Sequence, residues 1–143
     1  MSAVLRILVP IDGSDPSRRA AQHVLDLAAR GLSLEVHLLN VQPALRGVAA
    51  SLVSHGDLES YHRDEGMKAL AESLRLVEAA GLKPHAHVGV GDPGETVLAF
   101  ARRLNCEQIV MGTRGHGSVT GLLLGSVARH VVGEAAVPVT LLR

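Results

Sequence analysis

Short apolar, β-branched runs alternate along this chain with longer stretches whose apolar residues recur every three or four positions. Val4–Pro10 is the first such run and predicts strand one. The polar turn Asp12-Gly13-Ser14-Asp15-Pro16 follows, which places Asp15 as an N-cap and Pro16 in the first helical position. Ala20, Ala21, Val24, Leu25, Leu27 and Ala28 keep helical spacing, and Gly31 closes that helix. Leu34–Val41 predicts strand two. Residues Gln42 to about Gly56 show no clear period and read as a mobile loop. A long helix is expected from near Asp57 to Ala80, with Met67, Leu70, Leu74 and Val77 on one face and Gly81 as its stop.

Pro84–Val90 predicts strand three, with His85 and His87 on one face and Ala86, Val88 and Val90 on the other. Such alternation suits a strand at a sheet edge with one face partly open. Asp92-Pro93-Gly94-Glu95 reads as a capping box opening a helix to Leu104. Glu107–Met111 predicts strand four, Ser126–Ala135 the last helix and Val137–Leu142 strand five. The β-α-β-α-β-α-β-α-β alternation predicts an α/β fold: one open five-stranded parallel sheet, strand order 3-2-1-4-5, with helices on both faces, in a single domain over residues 1–143. Ligands of such sheets lie at the carboxyl ends of the strands where the order reverses, which here is between strands one and four.

The turn after strand four carries the most informative chemistry. Two residues separate Gly112 from Gly115, nine more lead to Gly125, and Ser126 then opens a helix. Glycine lets main-chain amides face a ligand without a Cβ in the way, and a helix start offers unpaired N–H groups at the positive end of a dipole. With Gly117, Thr113, Arg114, His116 and Ser118 between them, these glycines read as a nucleotide-phosphate cradle. Asp12, following strand one, can accept from a base amino group or a ribose, but taken alone it is better read as bridging the amides of its own turn.

Composition narrows the classes. Hydrophobic residues make up 47% of the chain, and Tyr61 and Phe100 are the only aromatics, so a bound base meets aliphatic side chains rather than stacking rings. Fourteen basic and fourteen acidic residues balance, leaving no global field for nucleic acid or an anionic membrane. Cys106 stands alone in apolar surroundings, which excludes an intrachain disulfide and favours a buried, inert thiol. No apolar run approaches the roughly 20 residues of a membrane span, and no secretory leader pattern is visible, so a cytoplasmic location is expected.

Other motifs are better explained structurally. Gly89-Val-Gly91-Asp-Pro-Gly94 spells a dinucleotide-binding fingerprint, but Pro93 removes a donor and no acidic residue ends the next strand. A capped tight turn is the expected role. The phosphate-binding loop ending in Gly-Lys-Ser/Thr is absent. His85 and His87 share a face, but no third ligand stands at diagnostic spacing, so they read as surface histidines and no metal ligand set is assigned. Ser126 and His130 lie four apart on one helix, without the third member a hydrolase would need.

The chain resembles the universal stress protein family over essentially its whole length. Leu8-Val-Pro-Ile-Asp12-Gly-Ser is similar to the family's first strand and acidic turn. Met111-Gly-x2-Gly-x9-Gly-Ser-Val127 is similar to the G-x2-G-x9-G-[S/T] pattern of its ATP-binding subgroup, and Val137-Pro-Val-Thr-Leu-Leu to the last strand through which members commonly dimerise. The resemblance implies an adenine-nucleotide site: Pro10, Ile11, Asp12 and Val41 at adenine and ribose, Met111 and Gly112 at the sugar, and Gly115, His116, Gly125, Ser126 and Val127 around the phosphates, with Arg114 assisting. Mg²⁺ bridging phosphate oxygens is expected chemically, since the site has little fixed positive charge.

Three functions remain open at this point. The first is a homodimeric, ATP-binding stress or signalling regulator, paired through Val137–Leu142. The second is a slow ATPase or autophosphorylating enzyme, with Ser126 or a neighbour as acceptor and Asp12 or His116 as a weak candidate base. The third is a nucleotide-independent dimerisation module, since an open apolar strand edge invites pairing with another chain.

Overall fold

The computed structural model describes residues 3–116 and 123–143. Five strands, β1 (Leu5–Pro10), β2 (Leu34–Gln42), β3 (His85–Val90), β4 (Gln108–Gly112) and β5 (Val139–Leu142), form one sheet in the order β3-β2-β1-β4-β5. Every pairing is parallel. The expected class and strand order are both found. Around the sheet lie α1 (Asp15–Ala29), α2 (Val48–Ser51), α3 (His55–Ala79), α4 (Pro93–Arg103) and α5 (Ser126–Glu134).

Alternation along the strands explains the two layers. Ile7 and Val9 of β1, with Val36 and Leu38 of β2, face Ala20, Ala21 and Val24 of α1 and Leu70 and Val77 of α3. Leu8, Leu39, Ile109 and Met111 face the other way, onto Val97, Leu98 and Ala101 of α4 and Ala128 and Val131 of α5. Both faces of the central strands are covered, so these strands read as continuous apolar runs. Cys106 is buried, and burial pushes its thiol up to about 11, in keeping with an inert side chain. Among the described residues no helix is long and apolar enough to cross a membrane.

Several local expectations shift. The N-cap of α1 is Ser14, whose hydroxyl accepts from Ser17 N–H, so Asp15 is already helical. Sequence favours either residue there; the neighbouring Asp12 turn decides it, because Ser14 N–H is turned towards the Asp12 carboxylate. Ser54 caps α3 by accepting from Asp57 N–H, which starts that helix at His55 rather than Asp57, and the stretch before it contains the short helix α2. The buried stripe of α3 is Gly66, Leu70, Ser73 and Val77; Met67 falls beside it and is 39% exposed, because Gly66 is the residue that admits Val88. In the Gly89–Gly94 turn, Asp92 accepts from Glu95 N–H and Gly94 packs beneath the His130 ring, the structural role expected of it.

His62, on α3, is 5% exposed, and neither of its ring nitrogens meets a partner among the described residues. An unpaired buried polar group costs about 1–3 kcal/mol. His62→Leu, of similar bulk, is therefore expected to raise the thermal midpoint in calorimetry, by about 1–2 kcal/mol of stability. A lowered midpoint would mean that the imidazole has its hydrogen bonds satisfied.

Candidate functional site

The order reversal places the ends of β1 and β4 side by side, with helices leaving to opposite faces, and a cleft opens there. Its volume is about 550 Å³, within the range of small-molecule sites. All twelve residues singled out from the sequence, Pro10, Ile11, Asp12, Val41, Met111, Gly112, Arg114, Gly115, His116, Gly125, Ser126 and Val127, border this one cleft. Gly117 and Ser118, also counted in the cradle, lie outside the described residues.

The walls are fixed by main-chain pairing continued past the strands. Ile11 N–H donates to Leu39 O at 2.7 Å, so the chain leaves β1 still tied to β2. Buried Asn40 donates through Nδ2 to Ile11 O at 2.8 Å, and Gln42 Nε2 donates to Asn40 Oδ1 at 2.7 Å. On the other side Thr113 N–H donates to Leu142 O and Gly125 N–H donates to Thr113 O, both at 2.7 Å. The second bond anchors the start of α5 against the end of β4. Gly125 is the N-cap of α5, and among the described residues no side chain caps this helix, whereas Ser14, Ser54 and Asp92 cap α1, α3 and α4. Among the described residues the first amides of α5 thus border the cleft without a side-chain acceptor, an arrangement suited to an anion.

Asp12 ties the two loops together. Its Oδ1 accepts from Ser14 N–H at 2.9 Å, an Asx turn, and its Oδ2 accepts from His116 N–H at 3.3 Å. A Cβ built on Gly115 would overlap Asp12 Oδ2, so this contact requires glycine. Desolvation pushes the Asp12 pKa up, but hydrogen bonds from the side chain and N–H of Ser14 and from the Ser17 hydroxyl, with the charge of His116, outweigh it and hold the group below its ordinary value. A carboxylate held low in the fold adds stability above its unfolded pKa and loses that contribution as pH falls through the folded one. Asp12→Asn is therefore expected to melt below the parent at pH 7, with the gap closing below about pH 4. A gap unchanged by acid would show that the charge is irrelevant to the turn.

Asn40 and Gln42 are among the lining residues that the sequence patterns did not assign to the site. Asn40 is a polar residue inside the apolar run Leu38-Leu39-Asn40-Val41, a signal that was there to be used. Gln42 lies at the end of the same strand. Thr113 sits between the first two glycines; it is 6% exposed, and its hydroxyl meets no partner among the described residues. A second concavity of about 400 Å³ shares Arg114, Gly115 and His116 with the cleft and adds Arg18 and Arg19. Arg18 is engaged by Asp15 and by Gly13 O, so it is not a spare cation. Ser126 borders the cleft, but His130 on the same helix faces Asp92 at 3.9 Å.

Sheet order, layers and cleft together define a doubly wound α/β domain with a glycine-marked turn and a helix start at its switch point. The sequence model of the universal stress protein family matches residues 4–143, and the chain belongs to that family. It is 32% identical over 139 residues to a universal stress protein of Methanocaldococcus jannaschii, covering 96% of this chain and 81% of that one. Its identity to a universal stress protein of Thermus aquaticus is 35% over 139 residues, covering 96% and 97%. Among solved structures it superposes on universal stress protein UspA from Lactobacillus plantarum with a TM-score of 0.81 at 24% identity, covering 97% of each chain. The same fold is shared with a universal stress protein in complex with cAMP (TM-score 0.72, 23% identity, 97% of each chain). A family member from Arabidopsis thaliana with AMP bound gives a TM-score of 0.70 at 19% identity, covering 96% of this chain and 90% of that one.

Proposed function

We propose that the cleft binds ATP with Mg²⁺, and that the protein acts as a homodimeric stress or signalling regulator whose output follows its nucleotide state. The observation that carries this reading is the start of α5, uncapped among the described residues, set against the Gly112–Gly115 turn and Asp12 in one cleft. Apolar Ile11, Val41, Met111 and Val127 line the same cleft and suit the faces of a base. Relatives of this fold that hold AMP and cAMP support an adenine nucleotide as the occupant. The donor set fits the cation as well. Mg²⁺ takes oxygen ligands, and the chain offers the Asp12 carboxylate and the Thr113 and Ser126 hydroxyls at the cleft beside the nucleotide's own phosphates.

In this reading the chain binds and orients the nucleotide. Asp12, held below its ordinary pKa and occupied by two main-chain amides, is a poor proton acceptor, which weighs against an ATPase built on it. For the dimer, the support is β5: it pairs with β4 on one side and ends the sheet, with partly buried side chains. Denaturing the purified protein should release a stoichiometric adenine compound, and light scattering should give the mass of two chains. An ATP-insensitive dimer that never copurifies with nucleotide would instead favour the dimerisation module.

A further inference from the structure

The pairing of β2 with β3 assembles a group of side chains that sequence spacing did not reveal. Parallel register sets His37 opposite His85 and Leu39 opposite His87, so all three imidazoles project from the same face of two neighbouring strands. Glu35 lies two residues before His37 on that face. The His37 and His85 rings stack with centroids 4.7 Å apart, and those of His37 and His87 with centroids 5.1 Å apart. His37 is 6% exposed and uses both ring nitrogens: Nε2 meets Glu35 Oε2 at 2.8 Å, and Nδ1 meets His87 Nε2 at 2.9 Å. One oxygen of Glu35 and one nitrogen each of His37 and His85 lie within 4.8 Å of one another.

We propose that Glu35, His37 and His85 form a binding site for a divalent transition-metal ion of the zinc class, with His87 as the positioning residue behind His37. Two imidazoles and one carboxylate are a ligand set that suits zinc and its neighbours; magnesium and calcium prefer all-oxygen surroundings. Ligand atoms around tetrahedral zinc are separated by roughly 3.3 Å, given metal–ligand distances near 2.0–2.1 Å. Reaching that spacing opens the 2.8 Å Glu35–His37 contact slightly and draws exposed His85 inwards, by side-chain rotation about a fixed, buried His37. A metal-ligating histidine characteristically has its second nitrogen held by a hydrogen bond, which sets its tautomer and ring orientation. His87 occupies that place. With metal on Nε2, His37 carries its proton on Nδ1 and donates to His87 Nε2.

Arg6 is the competing partner. Its Nε lies 3.2 Å from Glu35 Oε2, and Arg6 N–H also donates to Glu107 Oε1, so the guanidinium neutralises Glu35 when no cation is bound. Metal binding exchanges that ion pair, on a half-exposed surface where it contributes little, for coordination. The site is separate from the nucleotide cleft. Glu35 is the second residue of β2 and Val41 lies near its end, six residues on, which at ~3.3 Å per residue is about 20 Å. A metal here would staple the edge strand β3 to β2 and leave an open coordination position towards solvent beside exposed His85.

The test uses the full chain without a histidine tag, stripped of metal and titrated with Zn²⁺ in a calorimeter, with Co²⁺ absorption as a second readout. Expected are about one Zn²⁺ per chain, a raised thermal midpoint, a Co²⁺ spectrum of low-coordinate nitrogen–oxygen ligation, and no heat with Mg²⁺. His85→Ala removes an exposed side chain and should fold; it and Glu35→Gln should each lose at least tenfold in Zn²⁺ affinity. His87→Leu, through loss of the orienting hydrogen bond, should lose about 10- to 100-fold. His130→Ala, outside the group, should bind as the parent does. The proposal is overturned if Zn²⁺ gives no heat at about 100 µM, where a site of this ligand count should fill, or if His85→Ala binds it as tightly as the parent.

Discussion

Gly115→Val is expected to lose ATP binding by about 100-fold or more, which is ~2.7 kcal/mol, while the sheet stays folded. Two effects add. The new side chain occupies the space proposed for the phosphates at the turn, and its Cβ overlaps Asp12 Oδ2, which breaks the tie between the Asp12 carboxylate and His116 N–H. That tie holds the loop after β4 against the end of β1, so the cleft loses its shape as well as its room. Isothermal titration of the variant checks the loss, and far-ultraviolet circular dichroism checks the fold. ATP affinity within a few-fold of the parent would place the phosphates elsewhere.

Gly112→Ala is expected to act on stability instead. A Cβ at Gly112 would come within 2.6 Å of Pro16 Cβ, 3.0 Å of the Pro16 carbonyl carbon and 3.1 Å of Ser17 N. These are ring and backbone atoms at the start of α1, so no flexible side chain can move aside. Overpacking of this kind costs about 2–3 kcal/mol, or on the order of 10 °C in thermal midpoint for a domain of this size. Family resemblance assigned Gly112 to the sugar; the structure adds a packing reason, because β4 and α1 meet there without an intervening side chain. A midpoint within a degree or two of the parent would remove that reason.

The contrast between these glycines shows what a sequence discloses and what it withholds. The alternation of β-branched runs with helical spacing carried the strand order and both layers, because each strand's apolar pattern follows from burial on two faces. The cleft was legible for the same reason: glycines after one strand and an acid after another meet wherever the order reverses. Boundaries set by tertiary contacts were not legible. Ser14 displaced Asp15 as N-cap because Asp12 orients it, and Met67 left the buried stripe because Val88 needed the room at Gly66.

Long-range register was the larger gap. His85 and His87 read as surface histidines while only their own strand was in view; their neighbours Glu35 and His37 stand some fifty positions away and meet them only through the β2–β3 pairing. Asn40 differs, since a lone amide in an apolar strand end is visible in sequence, and its role in holding Ile11 O follows once the strand is placed beside β1. Thr113 needed the structure to show that its hydroxyl is buried and unpartnered among the described residues.

The proposed function rests on the head of α5, uncapped among the described residues, and on the Gly112–Gly115 turn, which together suit an anionic ligand in the cleft beside β1. Titrating Mg²⁺-ATP into nucleotide-free protein in a calorimeter tests this most directly. Saturable heat with about one nucleotide per chain, at micromolar affinity, is the predicted result. No heat and no thermal shift at millimolar nucleotide would contradict it.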